Sequence, residues 1–157
     1  AIALTLATAP PAALRGLVLL GVGPQMRVGE ALLGGGISDF AAAASLIVEY
    51  GFAAAPDELR LKMRQAILET GATTTFGDFL ACSRFDVRAQ LAGIHLPALV
   101  IGGTEDRLVP PKQGDALAAG LPHARRARVA GAGHFLMLER PAETAALIAG
   151  FLAGLRD

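Results

Sequence analysis

The sequence predicts an α/β domain in which parallel strands form one sheet and helices pack on its faces. Three observations carry this. The strand-like segments are short runs of consecutive apolar residues, such as Leu17-Val18-Leu19-Leu20, which suit strands buried on both faces. From residue 97 onward, strand and helix patterns take turns, the order that parallel sheets require. A chain of 157 residues with 53% hydrophobic and 18% charged side chains is also long and apolar enough to fold around a core.

Residues 1–8 (AIALTLAT) read as the tail of a helix, stopped by Pro10 and Pro11. Leu17 to Leu20 is a buried strand that runs into Gly21-Val22-Gly23. Residues 24–84 are helical by pattern and show no strand-like alternation. Gly34-Gly35-Gly36 reads as a flexible loop. Ser38 or Asp39 caps a helix whose apolar face holds Phe40, Ala43, Ala44, Ile47 and Val48. Pro56-Asp57 opens a second helix, with Leu59, Met63, Ala66 and Ile67 on one face and Gly71 at its end. A third, shorter helix carries Phe76, Phe79 and Leu80. Residues 97–103 (PALVIGG) are a strand, Pro110-Pro111 starts a helix reaching Gly120, and residues 126–130 (RARVA) are a short strand. Pro141 sits in the first turn of a closing helix lined by Thr144, Ile148, Phe151, Leu152 and Leu155.

Composition narrows the function. Formal net charge is zero, which gives no electrostatic footprint for nucleic acid. The one basic cluster, Arg125, Arg126 and Arg128, reads as a solvated strand flank. Mean hydropathy is positive. Even so, the most apolar stretch, residues 17–22, falls far short of the ~20 residues a spanning helix needs, so no membrane partner is expected. A single cysteine, Cys82, rules out an intrachain disulfide and fits a reducing, cytoplasmic setting. No metal or organic cofactor is implied.

Two turns hold the candidate chemistry. In open parallel sheets, ligands meet residues just beyond the carboxyl ends of strands. Thr104-Glu105-Asp106-Arg107 follows one predicted strand, and Gly131-Ala132-Gly133-His134 follows the next. Neighbouring parallel strands bring both turns to the same sheet edge. A carboxylate bonded to imidazole Nδ1–H fixes the tautomer and leaves Nε2 free to take a proton from a nucleophile and return it to a leaving group. An aspartate after a strand is most often a turn residue, and a single histidine is most often structural. The pair on adjacent strand ends, with glycines before each, is far more specific. Glu105 competes with Asp106 for the acid position and reads as solvent-facing or as a cap of the next helix. His95 and His123 lack the glycine context, and Glu139 and Arg140 read as helix-start residues ahead of Pro141.

The stretch PALVIGGTEDRLVPP, the later VAGAGHFLMLERP and the closing helix resemble the C-terminal third of the α/β-hydrolase superfamily. There the triad acid lies in a G-x-x-D-x-x-x-P pattern and the histidine in G-x-G-H. Gly103 and Pro110 frame Asp106, and Gly131, Gly133 and His134 match the second pattern. LRGLVLLGVG resembles the strand after the nucleophile helix, and FDVRAQLAGIHLPALV resembles the return from cap to core. The resemblance therefore implies a core of residues 1–23 and 85–157, with residues 24–84 as a helical cap insertion. It implies Asp106 and His134 as acid and base, and a small ester or lactone as substrate. Met26, Phe76, Phe79, Cys82, Leu108 and Phe135 are the expected apolar pocket residues.

One family element is missing. The nucleophile elbow G-x-S-x-G does not occur, and the three serines, Ser38, Ser45 and Ser83, lack flanking glycines in a strand–turn–helix. Cys82 reads as a packing or pocket residue rather than a nucleophile. The elbow is expected just before Ala1, and the earlier strands and the loop that supplies the second oxyanion-hole amide are also missing and are expected in that N-terminal part of the same protein. Alone, the chain is expected to be inactive and to expose a sticky parallel edge. A serine esterase or lactonase is the leading reading. The alternatives are an epoxide hydrolase, dehalogenase or C–C bond hydrolase of the same fold, or a non-catalytic member.

Overall fold

A computed structural model describes residues 1–30, 32, 33 and 39–155. Gly34-Gly35-Gly36 and Ser38, read above as a loop and a possible cap, lie outside the described residues. Three strands, β1 (Leu17–Leu20), β2 (Ala98–Gly103) and β3 (Ala124–Val129), form one parallel sheet in the order β1-β2-β3. Leu17 pairs with Ala98 and Ala98 with Ala124, so all three strands start level. Central β2 is buried at every position, which is why it reads as an unbroken apolar run.

Alternate β2 side chains serve two cores. Ala98 and Val100 pack with Leu17, Leu19, Leu91, Ile94, Leu117 and Leu121 on one face. That face is covered by α1 (Ile2–Ala7), a 3-10 helix at Arg88–Gly93 and, further along the chain, the helix at Pro111–Gly120. Leu99 and Ile101 pack with Val129, Leu136 and Phe151 on the other face, beneath the helices at Leu136–Glu139 and Pro141–Ala153.

Between β1 and β2 run α2 (Phe40–Gly51), α3 (Asp57–Thr70) and α4 (Ala72–Arg84). The later helices are α5 (Pro111–Gly120), α6 (Leu136–Glu139) and α7 (Pro141–Ala153). Asp39 supplies the α2 cap, its carboxylate accepting from the Ala42 N–H at 2.9 Å. Ala43, Ala44, Ile47 and Val48 of α2 are buried, whereas α3 and α4 bury no residue fully. The two ends of the helical segment meet, since Gln25 bridges Asp86 and the Val87 N–H donates to the Pro24 carbonyl at 2.9 Å. No helix among the described residues is long and apolar enough to cross a membrane.

Four local expectations are corrected. α4 spans 13 residues against 12 in α2, so it is not a short helix. β3 starts at Ala124, two residues earlier than expected, because β2 is long enough to pair with it there. Leu155 lies beyond the end of α7. Arg126 is not a solvated flank. Its side chain is 16% exposed, lies against Gly102 and Gly114, and bonds to Asp115 at 3.0 Å and to the Val100 carbonyl at 3.2 Å. Arg125 and Arg128 do lie exposed. Arg128 shares Asp115 at 2.8 Å, and the hydrogen bond from Arg128, with that from Arg126, holds the Asp115 carboxyl below its usual range.

Leu117 has no exposed surface and joins α5 to the sheet. Leu117→Ala is expected to cost about 2–5 kcal/mol in urea unfolding, with the slope unchanged. An unshifted midpoint would contradict this packing.

Candidate active site

The shared register carries β2 and β3 to the same edge, where Gly103 pairs with Val129. The turns that follow are stitched together. The Thr104 N–H donates to the Val129 carbonyl at 3.1 Å, the Glu105 N–H to the Ala132 carbonyl at 3.0 Å, and the Gly131 N–H to Thr104 Oγ1 at 2.9 Å. A methyl group on Gly103 would overlap the carbonyl oxygens of Ala132 and Gly133, so only glycine lets the turns come this close.

These turns bring Asp106 and His134 together. Asp106 Oδ2 lies 2.9 Å from His134 Nδ1, and Oδ1 accepts from the Leu108 and Val109 N–H groups at 2.9 and 2.8 Å. The carboxylate is thus aimed from both oxygens, and its side chain is 1% exposed against 27% for the imidazole. An ionised carboxylate only accepts, so opposite it Nδ1 carries a proton, and in the neutral tautomer Nε2 is then the nitrogen with the lone pair. Among the described residues nothing is hydrogen-bonded to Nε2. Such a ring can take a proton from a hydroxyl and is stabilised while it carries the charge. Glu105 is exposed and bonded to Thr104 Oγ1 at 3.2 Å, away from the imidazole.

The end of β1 completes the setting. Gly21 has φ +56°, and its N–H donates to the Ile101 carbonyl at 3.0 Å. A Cβ there would sit 2.9 Å from the His134 ring. Backbone therefore forms the floor beneath the imidazole, a close approach that the glycine after an apolar run signalled only faintly.

His134 and Gly21 line a cavity of about 570 Å³. Met26, Phe79, Cys82 and Leu108 line it too, together with Leu46 and Tyr50 from α2 and Arg27, Arg107 and Gln113. Phe76 does not line it: it follows the same helical stripe as Phe79 and Cys82 but sits one turn nearer the start of α4, beyond the cavity. Phe135 does not line it either. Its ring packs on Phe52 at 4.8 Å between centroids and lies edge-on to His134 at 5.6 Å, so it props the imidazole. Ser45 bonds to Arg64 on the surface of α2 and Ser83 bonds back to Leu80, so neither is presented to the imidazole. His95 and His123 are exposed near each other, with centroids 6.2 Å apart. Among the described residues no group of three or more histidine, cysteine or acidic side chains could hold a metal ion.

Glu139 does not start a helix. It ends the one-turn α6, and its carboxylate accepts three backbone N–H groups, from Ala53 at 2.9 Å, Ala54 at 2.7 Å and Gly133 at 2.7 Å. Two of these partners lie some 85 residues away, and no local pattern announces them.

A parallel sheet whose strand-end turns hold an aspartate–histidine pair beside an apolar cavity defines a hydrolase-type α/β scaffold. A family model described as alpha/beta hydrolase fold matches residues 41–141, and the chain belongs to that family. A pimeloyl-[acyl-carrier protein] methyl ester esterase of Xanthomonas campestris is 36% identical over 108 residues, 67% of this chain and 42% of that protein. The polyketide synthase ThaQ of Burkholderia thailandensis is 41% identical over 83 residues, 52% of this chain and 4% of that protein. Among solved structures, a thermophilic esterase superposes with TM-score 0.83 at 30% identity, over 90% of this chain and 57% of that one. A bromoperoxidase of Bacillus anthracis, at 22% identity and TM-score 0.88 over 97% of this chain and 63% of that one, shares the fold. The chain thus spans less than half of the Xanthomonas esterase and under two thirds of these solved structures.

Two outcomes test the site. Gly21→Ala is expected to push the imidazole off Asp106 and to cost about 1–2 kcal/mol through its left-handed backbone. The checks are urea unfolding and loss of the far-downfield Nδ1 proton resonance, and a variant that keeps both would refute the close approach. Burial pushes the Cys82 thiol up, which shrinks its thiolate fraction at neutral pH. Cys82 should therefore alkylate more slowly than a free cysteine; a faster reaction would point to an activated thiol.

Proposed function

We propose that this chain supplies the acid and the general base of a serine hydrolase acting on carboxylic esters or lactones. The supporting observation is the buried Asp106 carboxylate bonded to His134 Nδ1 at 2.9 Å, with the imidazole on the wall of the cavity. In this reading Asp106 orients His134, and Nε2 takes the proton of a serine hydroxyl as that oxygen attacks the ester carbonyl. The imidazolium then gives the proton to the departing alkoxide. A water molecule, deprotonated in turn by Nε2, cleaves the acyl-enzyme and restores the serine. The serine comes from a part of the protein outside these 157 residues, which also provides the second oxyanion-hole amide.

Residues 24–84 act as a cap: α2 and α4 wall the cavity, and the segment's ends are pinned together at Gln25 and Asp86. Met26, Leu32, Leu46, Phe79 and Leu108 suit an apolar acyl chain. Arg27 and Arg107 line the cavity while no carboxylate among the described residues does, which favours neutral or anionic esters over cationic ones. Esterase relatives at 36% and 30% identity agree with ester chemistry.

The test is active-site labelling with a serine-directed phosphonate on the longer hydrolase that carries this chain. A labelled serine is expected, with kcat falling on the order of 10⁴-fold or more in His134→Ala. Equal activity in that variant would overturn the assignment of the base. Vigorous, His134-dependent ester turnover by the 157 residues alone would overturn the external serine.

A further inference from the structure

We propose that Glu139 is a positioning residue that latches the His134 turn to the α2–α3 turn, so that the base is aligned only while the helical wall of the cavity is docked. The proposal rests on His134 being the general base. Three consecutive N–H groups of the histidine turn are held from outside it. Gly133 donates to Glu139 Oε2 at 2.7 Å, and His134 and Phe135 donate to the Gly51 carbonyl at 2.8 and 3.2 Å. Gly51 is the last residue of α2, and its carbonyl is one of those a helix end leaves unsatisfied. The other carboxylate oxygen of Glu139 grips the turn that follows α2, accepting from Ala53 and Ala54 at 2.9 and 2.7 Å. Hydrogen bonds to an ionised acceptor are about twice as strong as neutral ones.

One carboxylate and one carbonyl thus fasten the backbone of the base to the end of α2. The same helix presents Leu46 and Tyr50 to the cavity. A substrate that presses on this wall therefore loads the element that holds the imidazole against Asp106. Displacing α2 would free the His134 and Phe135 N–H groups and strip Glu139 of Ala53 and Ala54, leaving Gly133 tied only to an unanchored carboxylate, and the alignment of Nε2 would be lost without any change in Asp106. Glu139 does not touch the reacting atoms.

Glu139→Gln keeps shape and one acceptor oxygen. Its amide nitrogen cannot accept from the opposing N–H, so one side of the latch opens. In the longer hydrolase carrying this chain, kcat is expected to fall about ten- to a hundredfold with KM nearly unchanged. Backbone hydrogen exchange at Gly133, or at Ala53 and Ala54, should quicken in the variant. Glu143→Gln, which alters an exposed carboxylate in the first turn of α7, should change neither readout. Wild-type exchange and wild-type kcat in Glu139→Gln would overturn the latch. So would an equal loss in Glu143→Gln, or a loss confined to KM. If the wild-type protein cleaves no ester, the functional reading fails, and amide exchange in this chain still decides whether Glu139 holds the two turns together.

Discussion

Six residue pairs between β2 and β3 fix where everything chemical in this chain can sit. Because the strands are parallel and start level, both leave the sheet at the same edge, Gly103 opposite Val129. A register slip of one residue would turn every β3 side chain to the opposite face and move the histidine turn away from the aspartate turn. The register is held by packing as much as by the ladder. On β3, Val129 has no exposed surface and packs with Leu99 and Ile101 while its neighbour Arg128 is exposed, so a one-residue slip would bury a charge and turn Val129 out of the core.

On this base, the two turns are built to leave the acid no freedom. Asp106 has both oxygens engaged, one by two N–H groups of its own turn and one by the imidazole. Gly103 and Gly21 remove the side chains that would hold the turns and the β1 end apart. Phe135, packed against Phe52, props the imidazole from the side. A preorganised pair of this kind needs little rearrangement when charge develops on the ring, which is the condition for efficient proton transfer. The cavity beside it is walled by a helical segment that is itself fastened to the histidine turn through Gly51 and Glu139. The wall of the cavity and the turn that carries the imidazole therefore share one mechanical element.

The family and the aspartate–histidine pair were readable in the sequence because their signals are local. Consecutive apolar residues mark β1 and β2, and glycines spaced around Asp106 and His134 mark sharp turns at strand ends. What escaped depends on contacts distant in the chain. Glu139 looks like any acidic residue before a helix-starting proline, yet its partners are Ala53 and Ala54 across the fold. Arg126 looks like a surface charge until Gly102 and Gly114 open a slot for it. Phe76 and Phe79 share a helix, and sequence alone does not say which of them the strand-end turns will meet. Phe135 follows the histidine directly, but its ring turns toward Phe52 and not into the cavity.

The central claim is that Asp106 fixes His134 in the tautomer whose Nε2 is free to accept a proton. Nitrogen NMR of the imidazole, with Asp106→Asn alongside, tests it most directly. The account predicts that the neutral form of the ring carries its proton at Nδ1 in the wild-type protein, and loss of that preference when the carboxylate becomes an amide. A neutral ring protonated at Nε2, or one whose tautomer ignores the substitution at Asp106, would contradict it.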